Sequence, residues 1–256
     1  MIFSWPIASI QKTDSFERKS NREHEKSLLD NDGTLHKTEN KRDMTSKITP
    51  LDSAEAVDAI WHLQELLRFE TVSATAPGTG EYKRCAAFLI QQLSDLPMLE
   101  NIHILKEAPD HSPVVVAKWK GIDSNLPVLL LNSHYDVVPA DESAWTVAPF
   151  KGVRQDGKIY GRGAQDMKCV CIQYIEAIRK IAQLYPDWQP TRDIYLTFVP
   201  DEEIGGSGMA AFLDSALYKS LPGIALALDE GLASTTNTFD VFYGERLRKC
   251  FEFDCF

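Results

Sequence analysis

An α/β fold, a mostly parallel sheet sandwiched by helices, is predicted for residues 51–246 by two observations. Continuous apolar runs of strand length, "LPVLLLNS", "DIYLTFVP" and "GIALALD", recur along the chain. Such runs suit strands covered on both faces rather than on one. Between them lie longer segments with apolar residues at helical spacing, and this alternation is the pattern of βα units.

The elements follow in order. Residues 1–50 hold few apolar residues and carry nine Lys/Arg against eight Asp/Glu. A segment of that kind cannot bury enough surface to offset its ordering entropy, so it reads as a disordered extension. The opening "MIFSWPIASI" is short, is interrupted by Pro6 and lacks a basic start, which argues against a signal peptide. Asp52 with Glu55 matches a capping box. Val57, Ile60, Trp61, Leu63, Leu66 and Leu67 then mark the inner side of a helix. "EYKRCAAFLIQQL" predicts a second helix, and "NIHILK" and "SPVVVAKW" predict strands before "LPVLLLNS". Residues 167–184 form a helix with Val170, Ile175, Ile178 and Ile181 facing inward, and residues 207–217 form a shorter one. "GIALALD" is the last buried strand expected, with "FDVFYGE" as one more. The final "RLRKCFEFDCF" begins like an edge strand and has no turn or cap.

Composition excludes several classes. The formal charge is −10, and the first fifty residues carry +1 of it, so the rest carries −11. Nucleic acids and anionic membranes both favour basic surfaces, so neither is expected as a partner. Five cysteines without a CxxC spacing suit neither a cysteine zinc site nor a disulfide framework, and reduced thiols point to the cytoplasm.

Ligands of open α/β sheets bind beyond the carboxyl ends of the strands. Here those ends share one chemistry. "VLLLNS" runs into His134 and Asp136, "YLTFVP" into Asp201, Glu202 and Glu203, and "IALAL" into Asp229 and Glu230. "IYGRGAQDMK" sets Asp166 just before a helix. Each has an ordinary alternative. His134 could be a hydrogen-bonded core histidine, Asp166 a helix cap, the acidic triplet a solvated turn, and Asp229 with Glu230 the start of a loop. Taken together, so many carboxylates would repel one another without a cation. Mixed imidazole and carboxylate ligation suits zinc, manganese or cobalt. Two metals bridged by one carboxylate would sit about 3.5–4 Å apart and activate a shared water.

"LLLNSHYDVVP", "GRGAQDMKC" and "TFVPDEEIGG", in this order and at this spacing, resemble the M20 family of dinuclear zinc metallopeptidases and amidohydrolases. "GAQDMKCVCIQYIEAIRK", "FVPDEEIGG" and "ALDEG" are most similar to its aminoacylase branch. The resemblance implies that His134 and Glu230 hold one zinc, that Asp166 bridges both, and that Glu203 holds the second. It implies Glu202 as the general base and Asp136 as the group that orients His134. It also implies a cis peptide bond between Asp166 and Met167. The activity implied is zinc-dependent hydrolysis of N-acyl-L-amino acids, small molecules that are typically acetylated and aliphatic. Dipeptidase or desuccinylase specificity is the alternative within the class.

The likeness runs from about Leu51 to Arg246 and stops there, and the last ten residues match nothing the family has at that point. Family members continue into a lid domain that mediates homodimerisation, then into a final histidine for the second metal. The expectation is therefore a truncated catalytic portion. It keeps the ligands of one zinc better than those of two, its turnover is impaired, and it is in the alternative a non-catalytic metal-binding fragment.

Overall fold

The computed structural model describes residues 53–231. The extension 1–50, Asp52 of the expected capping box, the "FDVFYGE" strand and the final segment lie outside the described residues.

Helix α1 spans Ala54–Leu67, and Ser53 caps it, its Oγ accepting from the Ala56 N–H at 3.2 Å. Leu63, Leu66 and Leu67 are buried as expected, but Val57 and Trp61 face outward. The stripe that packs is therefore narrower than the apolar spacing suggests. The one-turn helix α2 (Ala76–Thr79) ends at Gly80, whose φ of 79° lets the chain reverse directly into α3 (Glu81–Ser94).

Strands β1 (Leu99–Ile104), β2 (Val115–Trp119) and β3 (Val128–His134) follow. A small hairpin comes next, β4 (Val153–Gln155) and β5 (Lys158–Tyr160). Its turn is Asp156-Gly157, both at positive φ, a signal for a tight hairpin that the apolar pattern alone does not reveal. Helix α4 covers Lys168–Leu184, β6 Ile194–Val199, α5 Ser207–Asp214, α6 Ala216–Ser220 and β7 Ile224–Leu228. The single helix expected over 207–217 is thus two. Ser215 breaks it, donating to the Phe212 carbonyl and accepting from the Tyr218 N–H.

The main sheet has the order β1-β2-β6-β3-β7. β3 runs parallel to β6 and β7, whereas β2 is antiparallel to both β1 and β6. The sheet is therefore mixed, with the expected parallel strands confined to one half. Helices lie on both faces. One core joins α1, α3 and α4 to Val115, Ala117, Leu196 and Phe198, and a smaller one joins α5 and α6 to Val116, Leu130, Tyr195 and Val199.

Strand β7 departs from expectation. Its apolar run reads as buried, yet Leu226 is 54% and Leu228 43% exposed. Among the described residues it pairs on one side only, with β3, so it is an edge strand.

Two polar devices hold the frame. The Lys168 ammonium is fully buried and donates to the carbonyls of Leu66 and Phe69, tying α4 to the end of α1 and the turn that follows it. Asp193, at the start of β6, accepts from the Gly121 N–H and Ser124 Oγ and pairs with Lys118 of β2 at 2.8 Å. Burial pushes the Asp193 carboxyl up, but Lys118, Gly121 and Ser124 outweigh it and hold it below its ordinary value. A depressed carboxyl stabilises the fold above its unfolded pKa and loses that contribution as pH falls through its folded value. Asp193→Asn should therefore lower stability at neutral pH. The gap from the parent protein should close below about pH 4, read by urea denaturation across pH.

Candidate metal centre

Strand β3 ends at His134, which is 1% exposed. Its Nδ1 lies 3.0 Å from the main-chain carbonyl oxygen of Asp136 and 3.3 Å from that residue's Oδ1. A carbonyl only accepts, so Nδ1 carries a proton, and Nε2 faces the other way. Around Nε2 stand Asp166 Oδ1 at 3.1 Å, Glu230 Oε2 at 3.6 Å and Glu202 Oε2 at 3.8 Å. Burial pulls the imidazole pKa down, but hydrogen bonds to Asp136, Asp166 and Glu230 drive it far above its ordinary value. The site thus demands positive charge.

Asp136 is fully buried and organises its neighbours. Its carboxylate accepts from Ser73 Oγ at 2.7 Å, from the Glu202 N–H at 3.1 Å and from the Glu203 N–H at 3.2 Å. Ser73 is in place because residues 71–73 pair with Val137, through Val137 N to Thr71 O and Ser73 N to Val137 O.

The acidic triplet divides in direction. Asp201 is buried and adopts a left-handed φ of 64°. Its carboxylate accepts from Tyr82 Oη at 2.9 Å and Ser207 Oγ at 2.7 Å. Glu202 and Glu203 then open a 3-10 turn, with Glu202 exposed and Glu203 half-buried. Partial burial raises both carboxyls. Nearby carboxylates raise them further, chiefly Glu230 for Glu202 and Asp166 for Glu203, while His134 opposes the rise in both. The turn sits tightly on β6. A Cβ at Gly208 would lie 2.5 Å from Pro200 Cδ, so only glycine lets α5 approach this closely.

Asp166 is not a helix cap. The N-cap position of α4 is Met167, which makes no side-chain capping bond. The Asp166–Met167 peptide bond is cis, as the resemblance implies. Its loop presses on the end of β3 through Gly163, where φ is 84° and a Cβ would meet Val137 Cγ1 at 2.7 Å. The hydrogen bond to His134 holds the Asp166 carboxyl below its ordinary value against partial burial.

At the end of β7, Asp229 turns back. Its Oδ2 accepts from Asn132 Nδ2 and its Oδ1 from the Glu230 N–H, while Thr197 Oγ1 donates to Asn132 Oδ1. Side chains thus link β6, β3 and β7 directly beneath the site. Sequence reasoning did not single out Asn132, Thr197, Ser73 or Tyr82. Asn132 and Thr197 carry a visible signal, as polar residues inside apolar runs, and they are register partners. Ser73 and Tyr82 stand far off in sequence and carry none.

Five of the six residues proposed for this site thus fall in two donor sets, and Asp136 lies behind them against Nδ1 of His134. Donor atoms of His134, Asp166 and Glu230 lie within 4.8 Å of one another, as do those of His134, Glu202 and Glu203. Glu203 thus lies with Glu202 beside the imidazole, and the charge of Asp166 also bears on it. His103 lies in β1, at the far edge of the sheet from β7, and its Nδ1 contacts the Asn101 carbonyl.

The model of peptidase family M20/M25/M40 matches residues 130–246, which contain all of these side chains. Aminoacylase-1 of Dictyostelium discoideum is 45% identical over 171 residues, 66% of this chain and 40% of that protein. Over these residues the chain is similar to the M20 family. Aminoacylase-1 of Sus scrofa is 43% identical over 188 residues, 72% of this chain and 43% of that protein. The chain therefore spans about two fifths of the length of the curated relatives it matches. The fold agrees with human carnosine dipeptidase 1 at a TM-score of 0.58 and 23% identity, over 68% of this chain and 38% of that one. Among the described residues no helix is long and apolar enough to cross a membrane.

If Asp136 organises the site, Asp136→Asn should cost about 1–3 kcal/mol, because an amide N–H then faces the N–H of Glu202 or Glu203. Chemical denaturation measures this, and an unchanged midpoint would remove Asp136 from its organising position.

Proposed function

We propose that this chain carries the ligand-bearing part of a zinc-dependent amidohydrolase that cleaves N-acyl-L-amino acids to a carboxylate and a free amino acid. The observation that carries the reading is the convergence of three carboxylates from three strand or helix ends on Nε2 of one buried imidazole. The relatives named aminoacylase-1 support the substrate class. The donor set fits a divalent ion, since an imidazole lone pair among carboxylate oxygens suits zinc.

In this reading His134, Asp166 and Glu230 would hold one zinc, and Asp166 and Glu203 would serve a second. Zinc, when bound, polarises the acyl carbonyl and lowers the pKa of water. The rest falls to the chain's own groups. Asp136 keeps the proton on Nδ1 of His134 and so keeps Nε2 free to ligate. Glu202 takes a proton from the attacking water as the new C–O bond forms. It returns that proton to the nitrogen as the C–N bond breaks, so the amine leaves neutral. A cytoplasmic location and a homodimeric full-length protein belong to the same proposal, as does a small-molecule substrate in place of nucleic acid or membrane.

In the full-length protein, Glu202→Gln should lower turnover of N-acetylmethionine by about 10²–10⁴-fold with metal content unchanged. Near-normal turnover would remove Glu202 as the base. Loss of metal would make it a ligand, in keeping with its place beside His134 and Glu203.

A second reading concerns the 256-residue chain by itself: it binds metal without turnover. The observation in its favour is that both donor sets share the same imidazole among the described residues. Metal analysis after exhaustive dialysis should then give one tightly held ion per chain, with no release of methionine from N-acetylmethionine. Two tightly held ions, or substantial hydrolysis, would defeat this reading.

A further inference from the structure

We propose that Tyr82 is a positioning residue for this site: by holding Asp201 inside the protein, its hydroxyl fixes where Glu202 and Glu203 leave the end of β6. The catalytic consequence rests on the hydrolase reading above, whereas the positioning itself does not.

Asp201 begins the triplet but points away from its two neighbours. It is 7% exposed, and its carboxylate contacts are two hydroxyls, Tyr82 Oη and Ser207 Oγ. A buried carboxylate held by hydroxyls depends on each donor, because losing one leaves charge without solvation. The residue also has a left-handed backbone, which side chains other than glycine adopt only when local bonds hold them there. Its main-chain oxygen accepts from the Gly206 N–H at 2.6 Å. Side chain and main chain of Asp201 together thus close both ends of the turn that bears the two glutamates.

Tyr82 is well placed to act as the fixed point. It is fully buried on α3 and packs edge-on against Tyr135 with ring centroids 5.4 Å apart. The Tyr135 hydroxyl is itself tied to the Pro113 carbonyl. Burial and the charges of Asp136 and Asp201 hold the Tyr82 phenol far above its ordinary pKa, so it remains an O–H donor. Its influence on the glutamates runs through Asp201, while Asp136 grips their N–H groups from the other side.

The test uses Tyr82→Phe in the full-length protein, with Ser207→Ala as a second variant on the exposed side of the same carboxylate. Hydrogen exchange by mass spectrometry should show faster exchange in peptides covering residues 200–207, by about tenfold in Tyr82→Phe and less in Ser207→Ala. Peptides of β2 and β3 should be unchanged. For N-acetylmethionine, kcat of Tyr82→Phe should fall about 10–10²-fold, with KM within about twofold and metal content intact. If Tyr82→Phe fails to fold, Ser207→Ala decides by the same readouts. Unchanged exchange at 200–207, exchange raised throughout the protein, or normal kcat despite a loosened turn would each overturn the proposal. If the parent protein does not hydrolyse N-acetylmethionine but the local exchange result holds, the positioning stands and the hydrolase reading falls.

Discussion

The carboxylate of Asp136 is the point on which the site is built. It is fully buried, and it takes hydrogen bonds from Ser73, Glu202 and Glu203 while lying against Nδ1 of His134. One charge therefore sets the rotation of the imidazole and the path of the β6–α5 turn at once. Removing such a charge from water is costly unless it is fully hydrogen-bonded. Here the donors that meet this need are those that have to be placed for chemistry. The fold's polar cost and its site geometry are one requirement.

The mixed sheet explains why this can happen at one end only. β6, β3 and β7 run parallel, so their carboxyl ends lie side by side. His134, the acidic triplet and Glu230 then arrive at the same edge without any long connection. The antiparallel strands β1 and β2 contribute no residue to the cluster. They extend the sheet, and through Lys118 and Asp193 they fix its far side. The cross-strand chain Thr197–Asn132–Asp229 ties the three parallel strands directly under the carboxylates.

Much of this was legible in the sequence, for physical reasons that can be named. β3 and β6 read correctly because both faces are covered and most of each run is apolar, with Asn132 and Thr197 as the polar exceptions. The same signal misled at β7, where an equally apolar run lies at an exposed edge, because composition does not reveal what covers a strand. Ser215 breaks a helix that its neighbours favour, through a local side-chain bond that periodicity ignores. The site's acids were legible because each sits where an apolar strand stops or a helix starts. Asp201 was legible as an acid but not in its direction, since its inward turn depends on a tyrosine more than a hundred residues earlier. Ser73 and Tyr82 have ordinary sequence surroundings, and only the folded chain brings them to the buried carboxylates.

The β7 edge, unpaired among the described residues, bears on how the protein meets its surroundings. Leu226 and Leu228 present an apolar ridge beside a strand with a free hydrogen-bonding side among the described residues, a surface suited to pairing with a second strand. The formal charge of −10 opposes such pairing by mutual repulsion. Salt weakens that repulsion, since the screening length is about 10 Å at 0.1 M, and leaves the apolar attraction in place. Were this edge to pair with another, low ionic strength would be the condition that opposes it most.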